Sequence, residues 1–386
     1  MRPKDQGLAV GAKGIMAELM RAIGLMSGTS MDGIDVALIE TDGEDIVRPG
    51  PSHAFAYSAE DRALLRRALD AAAGWQPGTS VPEAVSIAEA HITDAHGAAI
   101  EHFMAAQKLD HGHVDLIGFH GQTVLHQPER RRTVQLGKGH DLANRVGIDV
   151  VFDFRAADVA AGGEGAPLAP LYHRALAASL TGTKPLAILN LGGVGNVTWL
   201  GAAGEILAFD TGPANGLIDD WVGEHGAGHY DEGGRIAASG QVNDAILATM
   251  LDQPFFEVMP PKSLDRLDFV LEPVRGLSLA DGAATLTAFT AACVARACEH
   301  LASKPAQWIV CGGGRKNPTL MRELQERLGA RVEAAETVGW RGDDIEAEAF
   351  AYLAVRSKRG LPLSVPGTTG VPEPQLGGVF AAARKA

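Results

Sequence analysis

Between residues 23 and 43 the chain reads IGLMSGTSMDGIDVALIETDG: an apolar stretch, a break of small and polar residues, then a β-branched stretch. Ile23, Leu25 and Met26 predict a strand, the run from Ser27 through Gly28 to Gly33 a tight turn, and Ile34 to Ile39 the returning strand. Glycines in such a turn let the backbone come close to a ligand, and its amides and hydroxyls suit anionic oxygens. A Walker-type phosphate loop would end in Lys-Ser/Thr and lead into a helix. Here that lysine is missing and a strand follows, so the stretch reads either as a phosphate turn set in a β-hairpin or as an ordinary hairpin. The design returns at 186–200, LAILNLGGVGNVTWL. Two such devices predict two related halves facing one ligand.

The 386 residues are enough for two full cores. With a net charge of −13, a general nucleic-acid surface is not expected, and an anionic ligand has to be held by local amides, a few cations and a metal. No apolar run is long enough to span a membrane. Cys293, Cys298 and Cys311 are too scattered for a disulfide framework or a zinc site and suit a reducing cytosol. His111, His113, His126 and His140 fit no zinc spacing and read as surface or loop residues. Residues 1–19 read as a loose tail before the first strand, with Met16 and Met20 as alternative starts.

Helices are predicted over 59–73 and 82–107, strands over 115–119, 133–137 and 149–155, and a Gly-rich loop over 156–170 (AADVAAGGEGAPLAP). Further helices are predicted at 171–180, from 217, at 242–251, at 281–301 with Asp281 as N-cap, at 318–328 and at 344–356. Residues 357–386 are Pro/Gly-rich and are expected to run along the surface. Polar groups recur just past the apolar strands: Ser27-Gly28-Thr29, His120-Gly121-Gln122, Asp153 and Arg155, Asn190 and Gly192, Asp210-Thr211-Gly212, and Gly312 to Gly314. In open α/β sheets ligands bind outside the carboxyl ends of the strands.

GLMSGTSMDGID, FHGQT, DFRAADVAAGGEGAPL, LNLGGVGN, FDTGPAN and VCGGGRKN together resemble the anhydro-N-acetylmuramic acid kinase family, from about residue 22 to the C-terminus. The resemblance implies the actin/sugar-kinase/Hsp70 ATPase fold, an α/β, ribonuclease H-like architecture of two lobes with ATP in the cleft. The division then expected is 20–155 as lobe I, with 357–386 returning to it, and 156–356 as lobe II. The resemblance departs in two places: the tail before Met20 is additional, and the family's PPKSTGRD stands as Pro260-Pro261-Lys262-Ser263-Leu264-Asp265-Arg266-Leu267.

The resemblance implies a first phosphate turn of Gly28, Thr29, Ser30, Met31, Asp32, Gly33, Ile34 and Asp35, and a second with Asn190, Gly192, Gly193 and Asn196. It implies that Gly312, Gly313, Gly314 and Asn317 hold the adenosine, that Asp210 is the catalytic base, and that Glu346 acts beside it. Asp32 either orders the water shell of Mg²⁺ or simply forms the turn. His120, Gln122, Arg155, Asp158 and Gly163 are candidates for the sugar; His120 can equally be a satisfied core histidine, and Arg155 and Asp158 can pair with each other. The implied activity is ATP- and Mg²⁺-dependent opening and phosphorylation of a small anhydro amino sugar in cytoplasmic peptidoglycan recycling, with no nucleic-acid or membrane partner. A homodimer is compatible with the sequence. A kinase of another anhydrosugar such as levoglucosan, or a nucleotide-driven binding switch, are the competing readings; the second leaves HGQT and the DFRAADVAAGG loop (153–163) without a purpose.

Overall fold

The computed structural model describes residues 18–28, 30–76, 78–180, 184–264 and 268–384. Thr29, most of the expected tail including Met16, and 265–267 of the divergent loop lie outside the described residues.

Strands β1 (Met20–Ser27) and β2 (Gly33–Thr41) pair antiparallel, with Ile23 opposite Leu38 and Met26 opposite Asp35, so the opening hairpin is present. Strand β3 (Val47–Ala56) extends it and was not expected, because Pro49 and Pro51 argue against a strand. It is tolerated because β3 is the edge of its sheet, where a missing N–H costs no ladder bond, and the register shifts beside the prolines. Helices α1 (Ala59–Ala73) and α2 (Glu83–Gln107) follow. Ser58 and Asp61 form a capping box at the start of α1.

Strand β4 (Leu116–Gln127) runs parallel to β1 and does not end at His120 as the polar HGQT suggested. It continues because β5 (Arg132–Leu136) folds back on it, pairing Gln122 with Leu136. Helix α3 (Gly139–Val146) and β6 (Val150–Phe152) complete this part. Near the C-terminus β12 (Val379–Ala381) pairs antiparallel with β6, giving a seven-stranded sheet of order β12-β6-β4-β1-β2-β3 with β5 on β4.

The expected loop over 156–170 starts instead as helix α4 (Ala156–Ala161), closed by Gly162. Its alanines, which looked loop-like beside the glycines, are strong helix formers. Helix α5 (Pro170–Ala178) precedes a five-stranded sheet of order β11-β10-β7-β8-β9, made of β7 (Leu186–Leu191), β8 (Val194–Leu200), β9 (Ile206–Pro213), β10 (Gln307–Cys311) and β11 (Arg331–Ala334). Between β9 and β10 lie α6 (Asn215–Glu224), α7 (Arg235–Ser239), α8 (Asp244–Leu251) and α9 (Leu279–Ala297). The N-cap of α9 is Ser278, not Asp281; Asp281 sits at the third position and accepts from the Ser278 hydroxyl. Helices α10 (Pro318–Leu328), α11 (Ile345–Lys358) and α12 (Pro366–Thr369) complete the chain.

Three apolar layers organise these elements. The outer face of the first sheet packs on α2 and α3 through Ile23, Ile117, Ile100 and Leu142. The outer face of the second packs on α9 and α10 through Leu189, Val310, Val294 and Leu320. Between the sheets, α5 and α11 share one cluster with both, joining Ala22 and Leu116 to Ile188 and Ile309 through Tyr172 and Tyr352. Helix α11 lies directly on the first sheet because Gly24 and Gly118, paired across β1 and β4, carry no side chain. A Cβ on Gly24 would sit 1.8 Å from the Ala347 carbonyl oxygen, and one on Gly118 2.1 Å from that of Phe350.

Candidate active site between the two glycine turns

A cleft of about 760 Å³ opens where the strand ends of the two sheets face each other. From the first sheet come Ser27, Gly28, Ser30, Asp32, Asp35 and His120; from the second Asn190, Gly192, Gly193, Asn196, Asp210, Gly312 and Gly313; Arg155 and Glu346 close it.

The first turn is fixed from below. Met31 N–H donates to Gly28 O at 3.1 Å, and Met31 takes a left-handed φ of 55°. Ser27 Oγ donates to Gln122 Oε1 at 2.5 Å, and Gln122 Nε2 donates to Gly28 O at 3.1 Å. Gln122 is therefore buried under the turn and braces it, rather than facing a sugar. Of the other residues expected in this turn, Ile34 is buried in the lobe core, Met31 packs against that core, and Gly33 lies against the Phe55 carbonyl, so none of the three reaches the cleft with a side chain.

The second turn is fixed by the helix after it. The N–H groups of Ala214, Asn215 and Gly216 donate to the Gly192 and Gly193 carbonyls at 2.9–3.1 Å, which occupies those carbonyls and leaves the turn's amides for a ligand. Gly312 has a φ of 73°, and a Cβ there would meet Asn190 Oδ1 at 2.4 Å. Two residues expected at the adenosine do something else: Asn317 caps α10, accepting from Leu320 N–H at 3.0 Å, and Gly314 packs on Leu191. Lys316 takes the place on the cleft wall, paired with Asp343 at 2.8 Å.

Arg155 and His120 form one unit. Arg155 Nε donates to His120 Nε2 at 3.1 Å, and the guanidinium also donates to Gly165 O at 2.7 Å. His120 Nδ1 lies 2.7 Å from Gly121 O and donates to it. Both ring nitrogens are thus spoken for, and burial with the Arg155 charge pushes the imidazole well below the usual histidine range. His120 is a neutral support for Arg155, not a donor to substrate. Burial lowers Arg155 to about 10, against the pull of Glu346 and Asp158, so it stays a cation.

Asp158 does not pair with Arg155 among the described residues. It is buried, accepts from Gly165 N–H at 2.6 Å and from the hydroxyls of Thr369 and Ser364, and so fixes the loop rather than the sugar. Gly163 lies against Asp158, where a Cβ would meet its carboxylate at 2.2 Å, and is likewise outside the cleft wall. His126, expected on the surface, is a half-buried strand residue bonded to Thr133 at 3.0 Å.

Asp210 stands in β9 opposite Asn196. Its Oδ2 accepts from Leu264 N–H at 2.8 Å. Burial raises its carboxyl to about 7, with Glu164 adding to the rise and the Leu264 amide opposing it. Across the cleft, burial and then Glu346, Asp344, Asp343 and Asp32 raise Asp35 to about 7. Burial also raises Glu346, which Arg155 draws back down; its Oε1 lies 3.5 Å from Asn190 Nδ2. A group of mutually repelling carboxylates fits a hard divalent cation. No three His, Cys, Asp or Glu side chains among the described residues converge on one point, so such an ion would take one or two carboxylates and fill its shell with phosphate oxygens and water.

Sequence reading missed His173, Lys316 and Asp343 on the cleft wall. His173, on α5, is buried, bonds Thr198 at 2.8 Å and is lowered to about 4 by burial. Its surroundings are an ordinary apolar helix, which gives no sequence signal; Lys316 is adjacent to the Gly run and was within reach of the same reasoning.

Two α/β lobes closing a pair of glycine turns over a strand-end carboxylate define a phosphotransferase of the sugar-kinase type. The chain belongs to the anhydro-N-acetylmuramic acid kinase family, whose profile matches residues 20–382. The family's protein from Rhizorhabdus wittichii is 55% identical over 93% of this chain and 98% of that one. Those from Methylobacterium nodulans and Agrobacterium fabrum are 52% and 49% identical, over 94% and 95% of this chain and 100% and 99% of theirs. Among the described residues no helix is long and apolar enough to cross a membrane.

Proposed function

We propose that this chain opens 1,6-anhydro-N-acetylmuramic acid with water and phosphorylates it from ATP, giving N-acetylmuramic acid 6-phosphate and ADP in cytoplasmic peptidoglycan recycling. The observation that carries the reading is Asp210: a strand-end carboxylate on the cleft wall, held by a backbone amide, raised to about 7 and facing the two glycine turns. Such a group is half-deprotonated near neutral pH, where a general base works best.

Asp210 takes a proton from water as the water oxygen bonds to the anomeric carbon. The bond from that carbon to the bridging 6-oxygen breaks, and the 6-oxygen bonds to the γ-phosphorus while the bond to ADP breaks. The 6-oxygen is a poor leaving group without a phosphoryl acceptor and a poor nucleophile while bridging, so each half of the reaction supplies what the other lacks. The amides of Gly28 and Ser30 and of Gly192 and Gly193 hold phosphate oxygens. Arg155, held by His120 and Gly165, supports an anionic substrate group. Mg²⁺, held from Asp32 or Asp35 partly through water, would neutralise phosphate charge when bound.

Turnover of ATP with the anhydro amino sugar, with levoglucosan and without sugar tests the assignment; equal ATP hydrolysis in all three sinks it. In heavy-oxygen water the label is expected at the anomeric hydroxyl and not in the phosphate ester. Label in the ester, or release of unphosphorylated sugar at a comparable rate, would separate the two steps.

Because the base must be deprotonated and its carboxyl is raised, kcat/KM is expected to fall as pH drops through about 7. An ordinary exposed aspartate would hold activity down to about pH 4. A profile flat from pH 8 to 5 would remove Asp210 from the role of base.

A further inference from the structure

The loop after the Pro260-Pro261 pair grips Asp210 twice. Asp210 N–H donates to the Lys262 carbonyl at 3.0 Å, and Leu264 N–H donates to Asp210 Oδ2 at 2.8 Å. Ser263 stands between these two contacts, and its Oγ donates to Glu164 Oε2 at 2.6 Å. Glu164 comes from elsewhere in the chain, in the segment after α4, and that segment is itself immobilised. Glu164 N–H donates to Thr369 O at 2.6 Å, and Gly163 and Gly165 are both bonded to the buried Asp158. Gly165 also presents its carbonyl to Arg155. One short stretch therefore carries supports for both Arg155 and the loop on Asp210.

We infer that Glu164 is a positioning residue for Asp210: by accepting from the Ser263 hydroxyl it fixes the 262–264 loop, and with it the Leu264 amide, on the base. The inference rests on Asp210 being the base. The hydrogen bond and the charge of Glu164 have separable effects. The hydrogen bond seats the Leu264 amide, which favours the carboxylate; the charge of Glu164 disfavours it. Among the described residues, three further groups near Asp210 lie outside this balance. Lys262 turns its ammonium away, onto the Phe255 carbonyl at 2.8 Å and the Phe255 ring at 4.4 Å. Strand β8 places the neutral Asn196 opposite, and α9 brings the buried thiol of Cys293, which burial keeps protonated, against Gly212.

The test is the pH profile of kcat/KM and the plateau kcat of full-length Glu164→Gln and Ser263→Ala, with thermal melts to show folding. Glu164→Gln keeps a hydrogen-bonding side chain and removes the charge, so the acid limb is expected to move down by about half a pH unit or more. Its plateau kcat is expected to stay within about threefold of wild type. Ser263→Ala keeps the charge and cuts the strap, so kcat is expected to fall about tenfold, the loss typical of a charge-assisted hydrogen bond, with the KM for ATP unchanged. An acid limb that does not move in Glu164→Gln, or a Ser263→Ala enzyme with wild-type kcat, overturns the inference. If a single variant melts early, the conservative Ser263→Thr provides the control: rescue of kcat supports the strap and failure to rescue in a folded protein overturns it. Wild-type turnover and its loss in Asp210→Asn are unaffected by these results, so failure here leaves the proposed reaction standing.

Discussion

Asp210→Asn is expected to lower turnover by about 10² to 10⁴-fold, the usual worth of a positioned general base, while ATP affinity stays unchanged. The substitution is nearly isosteric. The amide oxygen can still accept from the Leu264 N–H, so the 262–264 loop keeps its seat and the cleft its shape. Only the capacity to take a proton from water is removed. ATP binding is proposed at the two glycine turns, with Lys316 on the same cleft wall, and none of these bonds the Asp210 carboxylate among the described residues. Titration of a nucleotide analogue and a coupled assay for ADP read the two quantities separately. A variant keeping more than about a hundredth of the wild-type rate would show that another group activates the water.

Gly24→Val is expected to unfold much of the protein at ordinary temperature, or to lower its melting point by many degrees. The new Cβ would fall 1.8 Å from the Ala347 carbonyl oxygen and 2.6 Å from the Ala351 amide nitrogen. Both belong to the backbone of α11, so no rotamer change relieves the clash; the helix has to lift from the sheet. Overpacking typically costs about 1–3 kcal/mol, and a clash with helical backbone belongs at or beyond the top of that range. Because Glu346 is on the first turn of the same helix, whatever folds is also expected to turn over slowly. An unchanged melt would mean that α11 does not rest on β1.

Much of this architecture is legible in the sequence because period and punctuation carry it. The two strand–glycine–strand devices and the strand that runs into Gly312 announce themselves by apolar runs ending at Gly, and α1 and α10 by stretches of helix-forming residues closed by Gly74 and Gly329. What escaped is set by partners far away in the chain. Strand β3 survives its prolines only because it is an edge, and β4 continues through HGQT only because β5 returns to pair with it. The site divides in the same way. Asp210, Arg155, Glu346 and the turn glycines end up on one cleft, since strand ends converge there. His120 reaches the cleft wall as a satisfied buried histidine, one of its two expected readings, while Gln122 and Asp158 sit behind the wall, turned to backbone groups. Whether a polar side chain faces ligand or braces a loop depends on which backbone groups surround it, here the Gly28 and Gly121 carbonyls and the Gly165 amide. A motif can name such residues but not the direction in which they point.

The cluster formed by α5, α11 and the inner faces of both sheets has a consequence for how the molecule comes apart. Each half has an outer apolar layer of its own, but the middle layer belongs to neither. Severing the chain between the sheets would leave two fragments, each with a wide greasy face and no covering for it. The cleft divides the protein only on its outside, and a single cooperative melting transition is the expected result for the two halves in calorimetry.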